Sequence, residues 1–127
     1  MNKQNLLFVV ESEDGNKFGG YFSSTINKTG TWINDPKSFL FSLQSNGRLD
    51  GMKKFPIEDQ SHTFTLGEDD YYWLFKFGGG YDIIVCNKQP KSESYCCQRS
   101  YEYYGIQNAL VGKVKFIPKR ITVLQMK

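Results

Sequence analysis

The chain has 127 residues, 16 Lys/Arg against 13 Asp/Glu, and is 39% hydrophobic and 16% aromatic. This length suits one domain and is short for two, and 10 Phe, 8 Tyr and 2 Trp exclude a chain too poor in apolar surface to fold. No apolar run reaches the roughly 18 residues of a membrane span, and three cysteines, an odd count with Cys96 and Cys97 adjacent, exclude a disulfide scaffold. No signal-peptide pattern follows Met1. The expectation is a single cytoplasmic domain over residues 1–127 with free thiols. Charge is uneven: residues 1–85 carry 8 Lys/Arg against 11 Asp/Glu, and residues 86–127 carry 8 against 2. A basic last third can meet an acidic partner, nucleic acid or anionic lipid, or simply form a solvated face.

Leu6–Val10 reads as a buried strand, and Asp14-Gly15 as a hairpin turn into a second strand over Lys17–Thr25. Gly19-Gly20 inside that strand marks a bulge or a close crossing. Ile26–Thr31 reads as loop, with Trp32 as a core plug after it, and Asn34-Asp35-Pro36 as a turn. Ser38–Leu43 is the next strand, Asn46-Gly47 the next hairpin turn, and Met52–Ile57 the return strand, which Pro56 places at an edge or a strand end. Thr63–Leu66 is a short strand and Glu68-Asp69-Asp70 a turn.

The stretch Tyr71–Cys86 is the centre of the pattern. Tyr71–Phe77 and Tyr81–Cys86 are rich in β-branched and aromatic residues, as two neighbouring central strands would be. Gly78, Gly79 and Gly80 between them form a bend or bulge, so Gly79→Val is expected to destabilise the fold. Asn87–Gln98 reads as an exposed polar loop, and Ser100–Tyr104 fits strand or loop. Gln107–Val111 fits one helical turn, and Val114, Phe116, Ile121 and Val123 a last strand or strand pair interrupted by Pro118. No segment keeps a 3.6-residue period over three turns. The fold class is mainly β: a two-layer antiparallel β-sandwich with few short helices.

Residue chemistry selects no catalytic centre. One histidine, His62, with no CxxC, cannot complete a zinc site, so neither metal nor other cofactor is expected. Glu11–Gly15 starts like a calcium loop, but Phe22 stands where the twelfth-position Glu belongs. The glycine triplet lacks a following GK[ST], and Ile83 stands where a dinucleotide fingerprint needs Gly. There is no GxSxG elbow, and no spacing selects a carboxylate pair. Cys96 and Cys97, between Lys91 and Arg99, are redox candidates, because nearby cations lower a thiol's pKa; ordinary loop thiols are the alternative. Nucleic-acid binding is not expected, since no aromatic-interleaved basic motif occurs.

Three motifs stand in a characteristic order: Phe18-Gly19-Gly20-Tyr21, then Ser38-Phe39-Leu40-Phe41-Ser42-Leu43, then Phe77-Gly78-Gly79-Gly80-Tyr81-Asp82. A serine-containing loop, a Ser-Tyr pair and Leu110-Val111-Gly112 with Phe116 follow. This order resembles the TLDc domain, the module of the oxidation-resistance proteins, over about Leu6 to Val123. Two departures are visible. Family members carry a helical segment before the first of these strands, and here Met1 lies five residues from Leu6. The family's last strand holds an acid followed by an aromatic, where this chain reads Arg120-Ile121-Thr122-Val123-Leu124-Gln125. The resemblance implies a β-sandwich without a catalytic site, a role in the oxidative stress response, and protein-protein interaction, for several relatives with the vacuolar-type ATPase. The motif glycines and aromatics are expected to serve core and bend more than contact. A thiol-based redox protein using Cys96 or Cys97 is the alternative function. An uncovered apolar patch or strand edge near Leu6–Val10 would favour a homodimer or capture of another protein's segment.

Overall fold

The computed structural model describes residues 4–26, 28–45, 51–58, 62–67, 73–86, 94–112 and 114–126. Among these, β1 (Leu6–Ser12), β2 (Lys17–Phe22), β3 (Phe39–Gln44) and β4 (Lys53–Pro56) lie side by side in one sheet. A second sheet holds β5 (Phe64–Leu66), β6 (Trp73–Phe77), β7 (Ile83–Cys86), β8 (Ser94–Tyr95) and β9 (Lys115–Phe116), in that spatial order. The chain then returns to the first sheet, where β10 (Pro118–Gln125) pairs with β1, giving the order β10-β1-β2-β3-β4. Every strand pairing is antiparallel. The described residues contain no α-helix; Gln107–Val111 is a run of turn, closed by the Gly112 amide donating to the Asn108 carbonyl at 2.8 Å. No helix among the described residues is long and apolar enough to cross a membrane.

β1 alternates: Leu6, Phe8, Val10 and Ser12 are buried, while Leu7, Val9 and Glu11 are half-buried. A two-residue period of this kind fixes which face meets the core. Phe8 lies at the junction of the sheets, its ring centroid 5.1 Å from Phe64, 4.8 Å from Phe75 and 5.8 Å from Phe77. Phe22 meets Phe64 at 4.9 Å, and Phe18 meets Phe116 edge-on at 5.1 Å. Each such ring contributes about 1.5–3 kcal/mol of burial and a smaller term from ring geometry. The Gly19-Gly20 pair is a close crossing and no bulge; the register shift falls one step earlier, between Lys17 and Phe18. Gly20 faces the Phe77 ring, whose Cε1 and Cζ lie 2.7 Å from where a Cβ would stand. The missing side chain lets the second sheet's ring approach the first.

Several local expectations need correction. Trp32 is half-buried and edge-on to His62 at 5.1 Å, so it is a wall of a surface cavity and no core plug; Ile33 bridges to Phe64 in its place. Ile26, read as loop, is a core residue. The segment read as an exposed loop over Asn87–Gln98 contains β8 and the buried Cys96; residues 87–93 lie outside the described residues. So do the Asn46-Gly47 turn, the Glu68-Asp69-Asp70 turn and Tyr71-Tyr72. Ser100–Tyr104 is not a strand, but Tyr101 forms an isolated bridge with Ile57. The last strand pair is split between sheets: β9 ends at Phe116, β10 begins at Pro118, and only Ile117 separates them. Pro118 opens an edge strand, where its missing N–H costs no ladder bond.

Candidate functional site

The glycine triplet is the turn of the β6–β7 hairpin, with the Tyr81 amide donating to the Gly78 carbonyl at 3.0 Å. Gly78 holds a φ of +85° and Tyr81 a φ of +65°. The three glycines make room for three different partners. A Cβ at Gly78 would strike the Asp82 carboxylate, one at Gly79 would lie 3.0 Å from His62 Cβ, and one at Gly80 would strike the Arg99 stem. Gly78 therefore carries the demand that the sequence placed on Gly79, which is exposed and has an ordinary φ.

Asp82 is fully buried behind this turn. Its carboxylate accepts from the Arg99 amide at 3.0 Å, the Ser100 amide at 3.0 Å and the Tyr103 hydroxyl at 2.7 Å. Burial disfavours the charged form and raises the Asp82 pKa above the ordinary carboxylate value, against the backbone and Tyr103 bonds that lower it. Burial, with the Asp82 charge beside it, also pushes the Tyr103 hydroxyl well up. Asp82 thus ties the β6–β7 turn to the segment that carries Arg99.

In front of the turn lies a cavity of about 560 Å³, walled by Trp32, His62, Lys76, Gly79, Gly80, Tyr81, Arg99 and Ser100. Lys76 belongs to the buried run of β6, yet it lines the cavity, with its ammonium between two rings, 4.1 Å from the Trp73 centroid and 4.4 Å from Tyr81. Four separate segments supply these residues. No spacing in the sequence joins them; the one local hint was a lone Lys in the apolar run before the glycines.

The other motif residues divide by face. Phe18 and Leu40 are in the core. Ser38 Oγ donates to the Tyr21 carbonyl at 2.8 Å and so accepts from the Tyr101 hydroxyl, 2.8 Å away, pinning the start of β3. Tyr21, Phe39, Phe41 and Leu43 turn to the outer face of the first sheet. There Tyr21 stacks on Phe39 at 5.0 Å, and Phe39 meets Phe41 at 6.3 Å. These residues depart from the expectation that the motif aromatics serve core and bend. Leu7, Phe39, Phe41, Leu43, Met52 and the stems of Lys53 and Lys54 line an apolar groove of about 390 Å³ on that face. Met52 is 73% exposed and Leu43 40%.

The two redox candidates separate as well. Cys96 is buried, and burial, with Asp82 and Cys97 beside it, holds its thiol well above the ordinary range. That is the reverse of thiolate activation. Burial also raises Cys86. Cys97 is half-buried and borders a small cavity with Gln98, Gln107, Asn108 and Val114. All three cysteines are free. A carboxylate pair does exist: Glu102 raises the pKa of Glu58 by hydrogen bonding and by repulsion, but Glu58 is open to solvent.

No curated protein matches the chain. The model of the TLDc domain family matches residues 1–124. With that match spanning nearly the whole chain, and with the three motifs placed in the hairpins described above, the chain belongs to the TLDc domain family.

Proposed function

We propose that this TLDc chain is a non-enzymatic protein-interaction module that acts in protection against oxidative stress by binding a subunit of the vacuolar-type ATPase. The observation that carries the reading is the groove on the outer face of the first sheet. Leu7, Phe39, Leu43 and Met52 present apolar surface away from the core, over the buried Phe41 and with Lys53 and Lys54 at its border. A contiguous apolar patch of this kind, rimmed by charge, marks an interaction surface. The occupant that fits is an apolar segment flanked by carboxylates, which the two lysine ammonium groups would meet. The pump subunit as partner and the cytoplasm as place belong to this proposal, and membership of the TLDc domain family supports them.

The test is binding of the purified chain to isolated cytosolic subunits of the pump. Leu43→Asp and Met52→Asp, at exposed positions, should weaken binding at least tenfold while the melting temperature stays within a few degrees. Unchanged binding in both variants would overturn the reading.

A second copy of the chain is the competing occupant. β10 is an edge strand of eight residues, with Val123 and Leu124 in it and Met126 just beyond it about half exposed, and edges of that length invite pairing. Sedimentation equilibrium over a concentration series separates the two, since a homodimer appears without any pump subunit. The thiol reading now rests on Cys97 alone, the cysteine with access to solvent.

A further inference from the structure

We propose that the cavity at the glycine turn is a binding site for a multiply charged oxyanion, a phosphate ester or diphosphate of a small molecule. Lys76 is 9% exposed, lines the cavity, and has the rings of Trp73 and Tyr81 as the contacts of its ammonium. Ring faces attract a cation but do not neutralise it. No carboxylate among the described residues pairs with Lys76. Arg99 enters the same cavity, its stem seated on Gly80 in the space that a side chain there would fill. Asp82 does not reach the cavity wall: its oxygens are directed to the Arg99 and Ser100 amides and to Tyr103.

Two cations therefore share one concave wall on which no acidic residue is found among the described residues. Such a site gains most from a ligand that brings negative charge and several acceptor oxygens. The ammonium of Lys76 supplies a point charge, and the guanidinium of Arg99 a planar fork. Ser100 and His62 on the same wall add polar groups, and the volume of about 560 Å³ lies in the range of small-molecule sites. Trp32 offers a ring at the rim. Gly79 and Gly80 let backbone approach the ligand closely, as a side chain would not. This site lies apart from the apolar groove and does not depend on the protein partner.

The experiment is a titration of the full chain with pyrophosphate at fixed ionic strength, read by tryptophan fluorescence, with sodium chloride as the salt control and citrate as a carboxylate control. Saturable binding is expected for pyrophosphate. Lys76→Met and Arg99→Met should each weaken it at least tenfold, while Lys119→Met, exposed on β10 of the other sheet, leaves it unchanged. Arg99→Met keeps the amide bond to Asp82 and the stem on Gly80, so it retains the fold should Lys76→Met fail to. A signal that does not saturate, or that Arg99→Met leaves as in the parent chain, overturns the proposal. Citrate binding as tightly as pyrophosphate would overturn the choice of phosphate over carboxylate ligands.

Discussion

Replacing Asp82 tests whether the glycine turn and the Arg99 segment are held together as described. Asp82→Ala leaves the Arg99 amide, the Ser100 amide and the Tyr103 hydroxyl without their acceptor in a buried place. An unsatisfied buried donor costs about 1–3 kcal/mol. Some of that is offset, because the substitution also ends the desolvation of a charge. A net loss of about 3–5 kcal/mol is expected, a large share of the 5–15 kcal/mol typical of a whole domain. Asp82→Asn keeps one acceptor oxygen but turns an amide donor toward the donors, and should cost about 1–3 kcal/mol. Urea denaturation followed by circular dichroism gives both values from the shift in midpoint at constant slope. A loss below about 1 kcal/mol for the alanine variant would refute the lock.

Comparing wild type with Asp82→Asn fixes the balance between burial and hydrogen bonding at Asp82. Its native pKa is raised, with burial as the largest cause. A raised carboxylate binds its proton more tightly in the native than in the unfolded chain. The stability that this adds is fully present below the unfolded value near 3.9, and it is lost as pH rises through the raised native value. Other groups cancel between wild type and Asp82→Asn. The gap in favour of wild type should therefore widen as pH falls from 7 toward 4. A gap that narrows on acidification would mean that the three hydrogen bonds outweigh burial and depress the pKa.

Gly78→Ala forces a side chain into a φ of +85° and against Asp82, and should cost roughly 2–4 kcal/mol. Gly79→Ala needs only a small shift of His62 and should cost under about 1 kcal/mol; equal losses in the two would refute the assignment within the triplet. Gly20→Val would drive a branched side chain into the Phe77 ring and Leu40, at a cost of roughly 3 kcal/mol or more, so an unchanged melting temperature would disprove the close crossing of the sheets. Iodoacetamide at neutral pH should label Cys97 in the native chain and reach Cys86 and Cys96 only in urea; mass spectrometry of digested protein would show native labelling of Cys96 if its burial were misjudged.

Much of the fold was legible because period and turn chemistry are local. The alternation in Leu6–Val10, the Asp14-Gly15 turn and the apolar runs around the triple glycine each carry their own signal, and the strands formed where these signals lay. Pro56 correctly marked an edge strand. What failed was what depends on distant partners. Trp32 looked like a core residue by its chemistry, but Ile33 takes the bridge to Phe64 and the indole is left at the surface. Cys96 looked exposed among polar neighbours, but β8 joins β7 and carries the next residue inward. The outward aromatics of the second motif could not be told from core, since Ser38–Leu43 is apolar on both faces apart from its serines and pairing alone decides which face is covered.

The candidate site was illegible for a related reason, and its construction separates fold from function within one motif. The glycines, the buried Asp82 and the Phe77 ring serve the hairpin and the contact between sheets, so any sequence that keeps this fold must keep their geometry. Lys76 and Arg99 carry no such obligation. Among the described residues the contacts of the Lys76 ammonium are the rings of Trp73 and Tyr81, and Arg99 donates to Asp82 through its backbone amide. A methionine could supply the same stems at both positions. The fold therefore explains the glycine turn completely and leaves two cations at its mouth unexplained. That remainder is where a ligand, and not stability, accounts for the residue type.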